Sequence, residues 1–282
     1  MKIFKAGREV GFFGFYNDLN MEKIKFFKYQ GTGNDFIMID DRARIFDADD
    51  NKLIEKMCHR RFGVGADGLI LIRNHPGVDF ELVYFNSDGY PGTLCGNGSR
   101  CAVHFARHIG MVNQKVVFKT VEGNLEAVIR DDLVYVHMPD VNEIVEKGDA
   151  FFLNTGSPHH VCFVKGLETY DVYQSGKSIR YSDAYREGGT NVNFVEPVSA
   201  DKIFVRTYER GVEDETLSCG TGVTASAIAY GLQKGHSDVK VKTLGGDLEI
   251  RFKIADDTHI TDVHLIGPAQ LVFEGEVDLR SF

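Results

Sequence analysis

Short apolar runs, broken every few positions by glycine or charge, dominate the chain and predict strands. Residues 25–30 and 36–40 set aromatic and β-branched side chains on either side of the turn GTGN, and 69–72 and 80–85 are continuous apolar runs. Residues 116–120, 125–130 and 133–138 read as short strands divided by EGN and DD turns. The style returns at 151–153, 160–165, 191–195 and 203–207, then in a meander over 239–243, 247–254 and 263–265 that turns on Gly245-Gly246, with a closing strand at 269–273. Helical spacing is rarer. Residues 51–61 carry Leu53, Ile54 and Met57 on one face, 102–109 form a second helix and 222–232 a third. Ala, Ser and Ile occupy nearly every face of 223–230, so that helix is buried all round. The pattern predicts an α+β fold of two pseudo-symmetric domains, each of antiparallel strands wrapped around a central helix.

The two central helices follow the same phrase. CGNGSRCAVHFA occupies 95–106 and CGTGVTASAIAY occupies 219–230. Cys95 and Cys219 are 124 residues apart, Tyr84 and Tyr208 share that offset, and the Thr-Gly of KYQGTGNDF recurs 123 residues on in FLNTGSPHH. Blocks in one order at a nearly constant offset mark an internal duplication. Each phrase sets a thiol beside backbone amides at the start of a helix, where partial positive charge favours a thiolate and binds anions. Two such thiols suggest one acid and one base on opposite faces of a substrate carbon, the chemistry of a cofactor-free racemase or epimerase.

Composition narrows the alternatives. The 282 residues suffice for two domains of ordinary size, and 43% hydrophobic with 26% charged residues is ordinary for a globular protein. A net charge of -9 without any basic stripe argues against nucleic acid as a partner, and no apolar run is long enough to span a membrane. Five scattered cysteines form neither a disulfide framework nor a CxxC knuckle, which favours a reducing, cytoplasmic setting. Cys58, Cys101 and Cys162 read as core thiols. Residues 1–20 make a poor signal peptide and read as an upstream extension or misassigned start before Met21.

Two motifs mislead. Gly63 to Gly68 matches GxGxxG, yet a helix precedes the glycines and a strand follows, the reverse of a dinucleotide site. A tight helix-to-strand loop at the rim of the site is the better account. No histidine shows metal-ligand spacing, and His159-His160 point to opposite faces of a strand, so no metal is expected.

With KYQGTGNDF, FNSDGYPGTLCGNGSRC, GSPHH and YERGVEDETLSCGTGVTA on the page, the chain resembles the diaminopimelate epimerase family over residues 22–279. The resemblance implies halves at 21–139 and 140–265, with a C-terminal strand within 266–282 returning to the first half. It implies interconversion of LL- and meso-2,6-diaminopimelate, on the way to lysine and peptidoglycan, without cofactor; the partner is this small molecule, and a homodimer stays open. Cys95 and Cys219 would be the bases. Gly96, Asn97, Gly220 and Thr221 would cradle the reacting carboxylate through helix-terminal amides. Asn34, Asn86, Asn191, Glu209 and Arg210 would read the substrate, chiefly its distal end, and His159 would stand beside the cysteines with help from Glu209. Gly68 replaces a glutamine of some members, Ser157 an asparagine of many, and VEDE before Thr216 a common GAGE. These departures touch contacts rather than thiols.

A proline-racemase-like enzyme shares the two-cysteine chemistry, but such enzymes usually carry histidine where this chain has Asn97. A cyclic imino acid also has less use for Glu209 and Arg210. A thiol redox sensor closing Cys95–Cys219 is the non-enzymatic alternative, and loss of the substrate's α-hydrogen to D₂O separates the two.

Overall fold

The computed structural model describes residues 23–282, so the expected extension over 1–20 lies outside the described residues. The first half runs β1 (Lys23–Gly31), β2 (Asn34–Asp40), α1 (Asn51–Cys58), β3 (Gly68–Arg73), β4 (Phe80–Asn86), α2 (Gly96–His108), β5 (Lys115–Thr120), β6 (Gly123–Arg130) and β7 (Leu133–His137). The second runs β8 (Ile144–Lys147), β9 (Ala150–Asn154), β10 (Pro158–Phe163), α3 (Val172–Arg180), β11 (Asn191–Ser199), β12 (Lys202–Glu209), β13 (Asp214–Thr216), α4 (Gly220–Lys234), β14 (Asp238–Thr243), β15 (Gly246–Ile254) and β16 (Ile260–Pro268). A last strand, β17 (Gln270–Asp278), pairs antiparallel with β1.

The duplication is visible in the pairing. In the first half β1–β2 is antiparallel, β2–β3 parallel, β3–β4 antiparallel and β4–β5 parallel, before the β5–β6–β7 meander. The second half repeats this order through β9–β10, β10–β11, β11–β12, β12–β14 and the β14–β15–β16 meander. The equivalent last strands β7 and β16 pair antiparallel with each other, which continues the sheet from one half to the other. Two-domain α+β architecture follows, as the apolar pattern predicts.

Each half closes around its helix. Every residue of α4 from Gly220 to Gly231 is buried, and α2 is buried from Gly96 to Cys101 and again through Ala102, Val103, Phe105 and Ala106. One apolar cluster runs through both halves, joining Phe105 and Phe118 of the first to Ile228 and Ile250 of the second. Smaller clusters lie outside the barrels: α1 covers Ile37, Leu69 and Leu71, and α3 covers Val192, Phe194 and Tyr208. No helix among the described residues is long and apolar enough to cross a membrane.

The structure corrects several boundaries. The central helices begin at Gly96 and Gly220 rather than at 102 and 222, and α1 ends at Cys58 rather than 61. Helix α3, capped by Asp171 accepting from the Gln174 amide, and the short strands β8 and β13 were not expected. At the end of α1 the chain must turn hard, because a Cβ at Gly63 would lie 2.1 Å from the Lys56 carbonyl oxygen.

Candidate active site

Both cysteines are helix N-caps with nearly identical backbone angles, φ -113° and ψ 109° at Cys95 against φ -113° and ψ 113° at Cys219. The Cys95 Sγ accepts from the Gly98 amide at 3.3 Å and lies 3.6 Å from Asn34 Oδ1. The Cys219 Sγ lies 3.5 Å from Thr221 Oγ1. The helices meet end to end through their glycines. A Cβ at Gly220 would fall 3.1 Å from the Gly96 Cα, and one at Gly96 would fall 2.6 Å from Leu265 Cδ2. Only glycine lets the two N-termini approach this closely.

A cavity of about 770 Å³ opens between the halves, and both thiols line it. Asn34, Asn86, Gly96, Asn97, Ser157, Asn191, Glu209, Arg210, Gly220 and Thr221 line the same cavity, so these candidates meet at one place. Asn97, buried, donates to the Ser218 carbonyl at 2.9 Å and to Asn34 Oδ1 at 3.3 Å, tying the start of α2 to the residue before Cys219. Across the cavity, Thr155 donates to the Thr221 carbonyl at 2.8 Å, and Ser157 Oγ lies 3.4 Å from Thr221 Oγ1. The Arg210 amide donates to Asn191 Oδ1 at 2.8 Å while its guanidinium donates to the Gly188 carbonyl at 2.6 Å.

His159 is the exception. It is fully buried and does not line the cavity; its Nδ1 pairs with Asn193 Nδ2 at 3.1 Å, and its Nε2 has no partner. Asn193 in turn lies against the first turn of α4, where a Cβ at Gly222 would come within 2.4 Å of its Oδ1. His159 therefore stands one layer behind Cys219. Burial pushes its pKa down to about 3, so the ring is neutral.

The electrostatics revise the expectation that the helix ends favour thiolates. Burial pushes the Cys95 pKa up to about 11, with the Gly98 amide pulling the other way and the Glu209 carboxylate adding to the rise. The Cys219 thiol is raised further, by burial first and then by Glu209. Desolvation outweighs the helix amides, so both are thiols near neutral pH. Glu209 itself is raised by burial, opposed by the Thr216 hydroxyl that donates to it at 2.8 Å.

Several residues escaped the sequence reading. Arg60, just before the glycine loop, and Asp67 within it line the cavity; Arg60 bonds Asp35 and Asp67 at 2.7 Å each, and Asp67 accepts from Asn34 at 2.8 Å. Tyr84 lines the cavity wall, noticed in the sequence only as a repeat marker. Arg100 is the largest fully buried side chain, and it binds Thr32 Oγ1 at 3.1 Å and the carbonyls of Pro268 at 3.3 Å and Gly96 at 3.5 Å. Among the described residues it makes no ion pair, so an uncompensated cation lies one turn inside α2.

The diaminopimelate epimerase family model matches residues 26–144 and 151–272. The chain belongs to the diaminopimelate epimerase family. The diaminopimelate epimerase of Flavobacterium psychrophilum is 48% identical over 254 residues, covering 89% of this chain and 99% of that protein. That of Aquifex aeolicus is 42% identical over 276 residues, covering 90% and 98%. Family membership makes the chain an isomerase of the epimerase type. Solved structures share the fold at low identity. A phenazine biosynthesis protein of the PhzF family from Bacillus anthracis superposes with TM-score 0.70 at 14% identity, covering 90% of this chain and 99% of that one. A hydroxyproline epimerase from Agrobacterium vitis gives 0.65 at 13%, covering 91% and 92%.

Proposed function

We propose that the chain interconverts LL- and meso-2,6-diaminopimelate by passing protons between Cys95 and Cys219 on opposite faces of one α-carbon. What supports this reading is a single arrangement: two thiols cap equivalent helices and open on one cavity. Removing an α-proton leaves a carbanion beside a carboxylate, and the protein must hold that charge. The amides at the starts of α2 and α4 converge where the α-carboxylate would sit, and one preorganised donor of this kind contributes about 3 kcal/mol. Both thiols are raised by burial, so one must ionise to serve as base while the other stays protonated as the acid for one direction of the reaction. The roles exchange for the reverse. At the distal end Arg210 offers a planar fork to a carboxylate and Glu209 an acceptor for an ammonium.

The test is α-hydrogen exchange into D₂O with epimer analysis, run on LL-diaminopimelate and on proline. Wild type should exchange and epimerise the first and leave the second alone. Cys95→Ala and Cys219→Ala should each abolish epimerisation while melting near the wild-type temperature. Near wild-type turnover with either thiol removed would refute the two-base assignment.

A further inference from the structure

On the outer face of the seam between the halves, far along the sequence from any spacing motif, three potential ligands converge. His137 ends β7, His264 lies directly opposite it on β16, and Asp262 lies two residues before His264. One ligand atom from each, all within 4.8 Å of one another, can face a common point. The His264 Nε2 already contacts Asp262 Oδ1 at 2.9 Å, and the two imidazole rings lie with centroids 5.1 Å apart. All three side chains are half-buried. Asp262 holds a left-handed backbone at φ 54°, beside the place where the β15–β16 register slips. Its amide is held by Asp140 Oδ1 at 3.2 Å. A register slip of this kind re-aims side chains.

We propose that His137, Asp262 and His264 form a binding site for a divalent transition cation of the zinc type, which pins the two halves together across the β7–β16 seam. Two imidazole nitrogens with one carboxylate suit zinc rather than magnesium or calcium, which prefer all-oxygen sites. Ligand atoms on a tetrahedral zinc lie about 3.3 Å apart for bonds of roughly 2.05 Å. The His264–Asp262 contact is already inside that span, and a rotamer adjustment of His137 closes the third side. Three protein ligands leave a fourth position for water. The cation competes with Lys253, whose ammonium lies 2.8 Å from Asp262 Oδ2. On the inner face of the same strand, the next residue, Leu265, packs against the glycines of both helix N-termini. The pin therefore lies directly behind the place where α2 and α4 meet, and it would hold fixed the strand pair that spaces them.

Zinc titration by calorimetry, in a Cys95→Ala/Cys219→Ala chain because facing thiols are themselves soft ligands, gives the direct test. One zinc per chain should bind, and His137→Gln or His264→Gln should each weaken it at least tenfold, while Lys253→Met should tighten it. Zinc should raise the melting temperature of the double-alanine chain and not of its histidine variants. In the thiol-intact chain the histidine changes should leave metal-free melting and turnover as in wild type, which separates lost ligation from lost folding. Equal zinc affinity after either histidine change, no binding at about 100 μM zinc, or equal binding of magnesium would overturn the site.

Discussion

Gly220→Ala tests whether the close approach of the two helix N-termini is what the site requires. The added methyl would meet the Gly96 Cα at 3.1 Å, Leu265 Cδ2 at 3.2 Å and the Asn97 amide nitrogen at 3.3 Å. Carbon atoms prefer about 3.5–4.0 Å, so the overlap is a few tenths of an ångström or more. Leu265 can swing aside, but the other two atoms are backbone of α2. Relief therefore requires α2 and α4 to separate. Overpacking of this size costs about 1–3 kcal/mol, and the helix preference for alanine over glycine returns up to about 1 kcal/mol of that. The net loss of stability should be about 0–3 kcal/mol.

Activity should suffer more than stability. On the proposed mechanism the amides that hold the developing charge move with the helix ends, and a misplacement of about 1 Å can cost roughly a hundredfold. A shift of a few tenths should lower kcat about tenfold with a small change in KM. The assay is steady-state epimerisation beside urea unfolding of the same preparation. Wild-type kcat in Gly220→Ala would show that the approach of the helices does not serve the reaction. A loss confined to stability would give the glycine a packing role only.

Two further outcomes follow from buried charge. Arg100 lowers the Cys95 pKa by Coulombic attraction, acting against the dominant effect of burial; Arg100→Met should therefore shift the pH at which iodoacetamide alkylates Cys95 upward, and an unchanged or lower midpoint would refute that coupling. Arg100→Lys, which keeps the charge, should restore most of the shift even if both variants melt lower. His159 is held neutral with its folded pKa depressed to about 3, so its contribution to stability is present above the unfolded value near 6.5 and is lost as pH falls from there toward 3. One such proton sets a slope of up to about 1.4 kcal/mol per pH unit, and His159→Gln should flatten the stability profile in that window; an unchanged slope would mean that the ring does not resist protonation.

Much of the fold was legible because burial and sequence rhythm agree. Strands buried on both faces, such as β3 with Leu69 to Leu71 fully enclosed, read as continuous apolar runs, and α4 read as a helix buried all round. The thiol phrases marked the helix starts, but the apolar rhythm alone set them late, at 102 and 222 rather than at Gly96 and Gly220. CGNG and CGTG are poor helix formers, so local preference delays the helix until the alanines. Tertiary contact overrides it, since a Cβ at Gly220 would lie only 3.1 Å from the Gly96 Cα and glycine avoids that clash. Helix α3 was missed because its buried residues are few, Val172 and Gly176, and its stability rests on packing over β11 and β12.

The site divides in the same way. Cysteines, asparagines and the Glu209–Arg210 pair stand out because their residue types carry chemistry at matched positions of a repeat. Arg60, Asp67 and Arg100 do not, since each belongs to a loop or helix whose local sequence explains it without a ligand. Arg100 shows the cost of that blindness. A guanidinium on an apolar helix suggests a surface-facing edge, yet here it is fully buried with hydroxyl and carbonyl partners alone. An isolated buried cation is unfavourable unless some negative charge answers it. The groups near enough to answer are the Cys101 and Cys95 thiols when ionised, and on the proposed mechanism Cys95 is the one that the reaction makes negative. The same burial that raises both thiols in the protein alone is thus the environment in which one buried cation and two helix ends act with little screening by water. On the proposed mechanism, a raised resting pKa and a stabilised reacting thiolate are two consequences of the same burial.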